Sequence, residues 1–393
     1  MRIAYCTPMG VERDGIGVYS RELYAPLSKL CVLEPFPLDK EVHDRGHFRE
    51  MAQAINRCDL LHLEHSSNFF KVPFFPLREG YRDLLRRVTV PRLVVYHEPV
   101  ERTPVYLSRG AATLRGRAME FAGYMARRSA RPVADAWIIP GYNREIFSLP
   151  ERVVVHTRFH ADLVRRFAPG ARITVRPHPV YVPMDRSASR EPVLPLPFAP
   201  PDVILTIFGF IERRKDYLGV LEALTRLPPE YKLLIAGGCH DERERTSPDS
   251  AYGEIMRYAE RNGLADRVHV TGFFPDAAVP DIVGITTAVV APFRGDHSSG
   301  SINLGLAYSR PVIAYRTRLT MEMNRNGAGI LEIEGGEELA QLMRAHANDP
   351  GYFGRAGEAG SEYRSRYGFP AVAAQFVRWY EEMLGDPGMP GTA

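Results

Sequence analysis

Residues 202–227 read DVILTIFGFIERRKDYLGVLEALTRL. The run from Val203 to Phe208 carries no charge and does not alternate with polar residues. Such a run suits a strand buried on both faces, which is the environment of a parallel sheet. Gly209 ends it, a cationic turn follows (Arg213, Arg214, Lys215), and DYLGVLEALTRL at 216–227 reads as a helix. Strand, turn and covering helix make one half of a βαβ unit, so this stretch points to an α/β fold.

The same grammar extends in both directions. Downstream, KLLIAGG (232–238), RVHVTGF (267–273), AVVAPF (288–293), PVIAY (311–315) and GILEI (329–333) read as strands, with helical segments after most of them. Upstream, RIAYC (2–6), LLHLEH (60–65), RLVVYH (92–97), RVVVH (152–156) and ITVRPH (173–178) are β-rich, and GIGVYSRELYAPLSKL (15–30) reads as a helix. Between the two series lies VPMDRSASREPVLPLPFAPPD (182–202), with six prolines and little periodicity, which reads as a linker. The expected organisation is a Rossmann-like domain over 1–183, a linker over 184–201 and a second Rossmann-like domain over 202–369. A helix over 370–386 and a flexible tail over 387–393 complete it.

The totals agree with a chain of more than one domain. At 393 residues it exceeds the roughly 150 residues typical of a single core. Lys and Arg number 50 against 47 acids, a net charge of +3, so wholesale nucleic-acid binding is not indicated. Cys6, Cys31, Cys58 and Cys239 form no C-x-x-C pair, so neither a disulfide framework nor a zinc ribbon is expected, and a reducing cytoplasm fits. The apolar start of MRIAYCTPMG is too short for a secretory signal, and no run approaches a membrane span.

In open α/β sheets ligands sit beyond the carboxyl ends of the strands, so the residues placed there carry the functional reading. After the first strand, Gly15 and Gly17 stand where a helix begins, a place suited to an anion or to a turn with a tolerant backbone. The third position of a dinucleotide fingerprint is Ser20 rather than Gly, which argues against nicotinamide. His62, Glu64 and His65 cluster on one strand end, and His97 with Glu98 on another. Single histidines at such places are usually structural, whereas several around one cleft favour catalysis or sugar binding. HTRFH at 156–160 has metal-ligand spacing without a carboxylate, so no metal site is expected there.

In the second half, the charge run at 213–215 is either a solvated turn or the place where a phosphate meets Lys215. DHSSGSINLGLAY follows at 296–308. One serine would cap the helix there; Ser298, Ser299 and Ser301 with Gly300 leave further amides and hydroxyls for an anion nest.

Together these segments resemble GT-B glycosyltransferases, specifically family 4 (glycosyl transferases group 1). DGIGVYSREL, DLLHLEHSSNFF, VVYHEP, RVVVHTRFHADLVRRF and RPHPVYVP are similar to that family's N-terminal segments. IFGFIERRKDYLGVLEAL, KLLIAGG and SGSINLGLAYSRPVIA follow its C-terminal order. The resemblance implies two Rossmann-like doubly wound domains facing across a cleft, acceptor on the first and nucleotide-sugar donor on the second. It implies that Lys215, assisted by Arg213, meets the donor diphosphate, with Ser298, Ser299, Gly300 and Ser301 presenting amides and hydroxyls to it. The backbone near Phe273 and Phe274 would border the base, and Gly15 and Gly17 would close over the sugar phosphate. His97 would face the transferred sugar, Asp296 would accept from its hydroxyls, and His62, His65 and Glu98 would serve the acceptor. The implied reaction is retaining, metal-independent and free of other cofactors; the acceptor is a glycan, a lipid-linked or a small molecule.

Two positions depart from the family pattern. Its paired glutamates fall here on Asp296 and Leu304, and Leu304 offers nothing to a ribose hydroxyl. Asp216 stands where the family has Gly. The Leu304 departure keeps open a non-catalytic sugar-nucleotide-binding protein beside the enzyme, and an NAD(P)-dependent or epimerase-type Rossmann enzyme shares the architecture. The segment 102–131 holds seven arginines against the single acid Glu120. It reads either as a solvated helix face or as an amphipathic helix on anionic lipid, which would place a cytoplasmic protein at the inner face of the membrane.

Overall fold

The computed structural model describes residues 1–11, 14–66, 69–70, 80–97, 125, 128–129, 132, 139–184, 193–239, 241–295, 300–349 and 351–385. Glu98, Asp296, Ser298 and Ser299, nearly all of the basic segment 102–131, and the tail 387–393 lie outside the described residues. The chain divides into two units: Met1–Pro177 with Ala373–Ala393, and His178–Val372.

Among the described residues the first unit holds a sheet of β1 (Arg2–Thr7), β2 (Val32–Pro37), β3 (Leu60–His65), β4 (Arg92–Tyr96), β5 (Arg152–Val155) and β6 (Ile173–Val175). All pairs are parallel, in the order β2-β1-β3-β4-β5-β6. The helices are α1 (Gly15–Leu27), α2 (Arg45–Ile55), α3 (Gly80–Leu85), α4 (Ile139–Ser148) and α5 (Arg158–Phe167). β2 was not read from the sequence, because VLEPFP carries two prolines. It lies at the sheet edge, where a missing amide costs no ladder bond on the open side.

Strand side chains alternate between faces. Ala4, Cys6, Leu61, Leu63, Val94, Tyr96, Val153 and Val155 pack into one core with Phe48 and Met51 of α2, Leu84 of α3, Phe147 of α4 and Val164 of α5. The opposite face meets α1, where the Tyr5 hydroxyl donates to the Ser20 carbonyl at 3.0 Å. It also meets the C-terminal helix, whose Phe376, Tyr380 and Met383 have no exposed surface.

The second unit repeats the plan with β7 (Val203–Phe208), β8 (Tyr231–Ala236), β9 (Val268–Val270), β10 (Ala288–Ala291), β11 (Val312–Tyr315) and β12 (Leu331–Ile333), ordered β12-β11-β10-β7-β8-β9. Its helices are α6 (Tyr217–Thr225), α7 (Ala251–Arg261), α8 (Val279–Ile285), α9 (Gly300–Ala307), α10 (Arg318–Arg325), α11 (Gly336–Asn348) and α12 (Gly351–Tyr367). α13 (Phe369–Gly385) runs on into the first unit's portion of the chain. Leu205, Ile207, Leu233, Ile235 and Ile313 face a core shared with α6, α7 and α11. Ile204, Phe208, Leu234 and Val289 face the other way.

The expected linker is in part no linker. Residues 185–192 lie outside the described residues, but Phe198 is buried and Leu194 and Leu196 are partly buried against Ile204, Leu234 and Ile282. The alternation in VLPLPF aims one side of an extended segment at the sheet. The Val193 amide donates to Asp281 at 2.8 Å, tying the segment down.

Candidate functional site

In the second unit the strand order reverses between β7 and β10, and the segments leaving these two strands touch. Lys215 pairs with Phe293 in an isolated antiparallel bridge, and the Asp216 amide donates to the Pro292 carbonyl at 2.6 Å. A crevice at such a reversal is the usual ligand site of a doubly wound sheet.

Lys215 is built into this crevice rather than waving over it. Its ammonium donates to the Phe208 carbonyl at 2.9 Å and to the Phe210 carbonyl at 2.8 Å. Gly209 between them has φ +89°, a backbone conformation that suits glycine, and this turns both carbonyls onto the lysine. Burial pulls the ammonium down from its ordinary value to about 8. A charge kept there by two neutral acceptors has one N–H left and stands to gain from an anion.

Asp216 explains its own departure from the family pattern. One carboxylate oxygen caps α6 by accepting from the Gly219 amide at 2.9 Å. The other accepts from the Tyr315 hydroxyl at 2.7 Å, at the end of β11. The lysine's neighbour is thereby pinned to a helix and a strand at once.

A groove of about 310 Å³ is lined by Arg213, Lys215, Tyr217, Glu254, Pro292 and Arg294, among others. Arg213 is held by Glu254 at 2.9 Å and by the Asp249 carbonyl. Arg294 was not singled out from the sequence. It lies 4.9 Å over the Tyr315 ring and donates to the Glu334 carbonyl at 2.7 Å. Its signal was its place, directly after a strand in APFRGD.

On the neighbouring strand exits, Phe273 is exposed and meets Phe210 edge to face at 5.6 Å, while Phe274 is partly buried against the core. Gly300 opens α9 with free space around it, and Ser301 is buried. α9 lies so close to β10 and β11 that a β-carbon on Gly305 would meet Val312 at 2.5 Å. Leu304 joins the apolar side of the helix, against the cluster of Phe198 and Val289.

In the first unit, the Asp14 side chain caps α1 by accepting from the Ile16 and Gly17 amides at 2.9 and 3.1 Å. The Gly17 amide is thus occupied, and its missing side chain serves close packing: a β-carbon there would lie 2.6 Å from the Val11 carbonyl oxygen. Gly15 faces open space.

The histidines separate by strand parity. His62 and Glu64 share one face of β3 and His65 takes the other. His65 is buried against Phe70, Tyr81 and Tyr96, and burial pushes its ring down to about 3. His62 has no exposed surface, and its nitrogens meet the Tyr380 hydroxyl and Glu64. Both rings are buried, whereas the sequence reading expected them to serve an acceptor. A polar residue one position along a strand changes face, and these two faces are covered by helices.

Glu64 instead organises the cluster. Its carboxylate is 2.9 Å from His62 Nε2 and 2.7 Å from His97 Nε2. Burial opposes its ionisation, but the hydrogen bonds from the two rings hold it below the usual carboxylate range. His97 Nδ1 in turn lies 3.3 Å from His156 Nε2, and Tyr19 of α1 packs edge-on against His97 at 4.7 Å. Both nitrogens of His97 are therefore engaged within the protein.

Residues 201–349 match the family model of glycosyl transferases group 1. No curated protein matches the chain. Among solved structures, Anabaena HepE in complex with UDP is similar at 13% identity and TM-score 0.65, over 97% of this chain and all of the other. Sucrose-phosphate synthase from Thermosynechococcus elongatus is similar at 15% identity and TM-score 0.65, over 98% and 99%. The lipopolysaccharide outer core galactosyltransferase WaaB is similar at 13% identity and TM-score 0.59, over 97% and 99%.

 These likenesses show the fold, GT-B, and the family match identifies a group 1 glycosyltransferase domain over residues 201–349 of the second unit. Among the described residues no helix is long and apolar enough to cross a membrane.

Proposed function

We propose that the chain transfers a sugar from a nucleoside diphosphate sugar, bound by the second unit, to an acceptor bound by the first. One observation carries this reading: Lys215 is held by the Phe208 and Phe210 carbonyls at the reversal point of the second sheet, in a groove it shares with Arg213 and Arg294. HepE, similar in fold, was solved with UDP, which makes a uridine diphosphate the first nucleotide to try.

In the transfer, the bond from the anomeric carbon to the diphosphate oxygen breaks and a bond to the acceptor oxygen forms. The acceptor's proton passes to the released diphosphate. Positive charge develops on the sugar and negative charge on the leaving group, so donors already aimed at that group lower the barrier. Lys215 supplies a cation, Arg213 and Arg294 add positive charge to the groove, and Gly300 and Ser301 open a helix whose dipole favours an anion. These groups would carry the charge without a divalent metal, and the family resemblance implies retention at the anomeric carbon. Ser298, Ser299 and Asp296 complete the proposed donor site, with Phe273 bordering the base.

A second reading is favoured by Leu304, whose place on the apolar side of α9 leaves no carboxylate for a ribose. A non-catalytic protein of this fold would bind the nucleotide and turn nothing over. Thermal shift with UDP, GDP, ADP, TDP, CDP and NAD(P), on wild type and Lys215→Ala, tests the donor site. Stabilisation by one nucleoside diphosphate, lost in the variant, is the expected result. Binding without release of nucleotide from any donor and acceptor would favour the second reading, and a response to NAD(P) alone would remove both.

A further inference from the structure

A second cleft lies in the second unit, with a volume of about 720 Å³. Asp202, Thr287 and Pro311 line it, each standing just ahead of β7, β10 or β11. These strands are parallel, so the cleft is at the opposite end of the sheet from the groove of Lys215. Phe353 and Glu358 of α12 form another wall.

Arg310 is the cation of this cleft. Its side chain is half-buried and donates to the Gly284 carbonyl at 3.3 Å; the rest of its fork has no acceptor, and it makes no ion pair, among the described residues. Burial works against its charge and no neighbouring acid offsets this. The turn that carries it is fixed. Ser309 stands at φ +55°, in the left-handed region that favours glycine, and its carbonyl oxygen would lie 2.6 Å from a β-carbon on Gly357 of α12. The Arg310 amide donates back to the Gly305 carbonyl at 2.9 Å.

Asp202, half-buried, and Glu358, exposed, line the same cleft, and neither carboxylate has an ion pair or a hydrogen bond among the described residues. Charges of both signs thus share one cleft without meeting. His346 also lines it, stacked on Phe353 at 3.9 Å; burial lowers its ring, so it adds no charge above neutral pH. α8 and α11 end at this cleft, and helix carboxyl ends favour a cation. A simple anion drawn to Arg310 would meet two carboxylates, and a simple cation would meet the arginine. We infer that the cleft is a binding site for a small zwitterion, an amino acid with its carboxylate on the Arg310 fork and its ammonium toward Asp202 and Glu358. The planar fork of an arginine matches a carboxylate with two parallel bonds. Ile285 and Phe353 offer apolar surface to the side chain of such a ligand.

The test is calorimetry on the intact chain at about pH 7.5, where both ligand groups are charged. The probes are L-phenylalanine, 3-phenylpropanoate, which lacks the ammonium, and phenethylamine, which lacks the carboxylate. L-Phenylalanine is expected to bind, and each of the other two to bind at least about tenfold more weakly. Arg310→Gln should weaken L-phenylalanine by about tenfold or more, and Glu358→Gln, at an exposed position, by about threefold. No heat from L-phenylalanine, equal binding of 3-phenylpropanoate or phenethylamine, or binding undiminished in Arg310→Gln overturns the proposal. Should Arg310→Gln not fold, the matched probes on wild type decide by the same criteria. The site stands apart from the function proposed above: UDP binding is a separate titration, and Arg310→Gln should leave it unchanged.

Discussion

The Lys215 ammonium lies 2.9 Å from the carbonyl oxygen of Phe208, the last residue of β7. The strand's own end thereby holds the cation at the point where the sheet reverses. Because burial lowers this lysine to about 8, nucleoside diphosphate binding should take up a proton and weaken as pH rises. Between pH 7 and pH 9 the affinity should fall about tenfold if the charged form is required. Calorimetry at several pH values checks this; an affinity flat to pH 9 would remove Lys215 from the diphosphate. The sign for stability is opposite. The unfolded lysine keeps its proton to the ordinary 10.5, so between about 8 and 10.5 the unfolded chain binds more protons and this group's contribution to stability rises with pH.

Asp216 and Tyr315 should be energetically coupled. Asp216→Ala removes both the α6 cap and the acceptor for the Tyr315 hydroxyl, and should cost about 1–2 kcal/mol. Tyr315→Phe should cost about 1 kcal/mol, and the double variant less than the sum. Denaturant unfolding of the four proteins measures the coupling, and strict additivity would refute it.

Gly17→Ala places a methyl group 2.6 Å from the Val11 carbonyl oxygen and 2.9 Å from that of Pro8. The turn ahead of α1 must open, at a cost of about 1–3 kcal/mol. A melting temperature equal to that of wild type would show that this turn yields freely.

Tyr380→Phe keeps the buried ring and deletes the hydroxyl that meets His62. The ring nitrogen left bare in the core should cost about 1–3 kcal/mol. Denaturant unfolding measures the loss, and a stability equal to that of wild type would show that the hydroxyl contributes nothing there.

Much of the fold was legible because its signals are local. Uncharged runs such as VILTIF and VIAY mark strands buried on both faces, and in the structure Asp14, Thr157 and Asp216 cap the helices that follow them. β2 was missed because its prolines speak against a strand until its edge position is known. Lys215 and the start of α9 were legible as strand-end positions. Arg294 occupies the same kind of position and was passed over because one arginine after a strand carries no pattern of its own.

By itself the sequence determined the α/β rhythm, the two series of strands and the chemistry available at their ends, since each follows from neighbours a few residues apart. Only the tertiary structure decided which of those groups are paired. Tyr380 is 318 positions from His62, and His156 is 59 from His97, yet each pair meets inside the first unit. A buried carboxylate must be compensated by whatever donors the fold brings to it, and no local pattern states which ones those are. The roles of His62, Glu64 and His65 therefore diverge with the face of the strand and the elements packed on it, although the three stand within four consecutive positions of the chain.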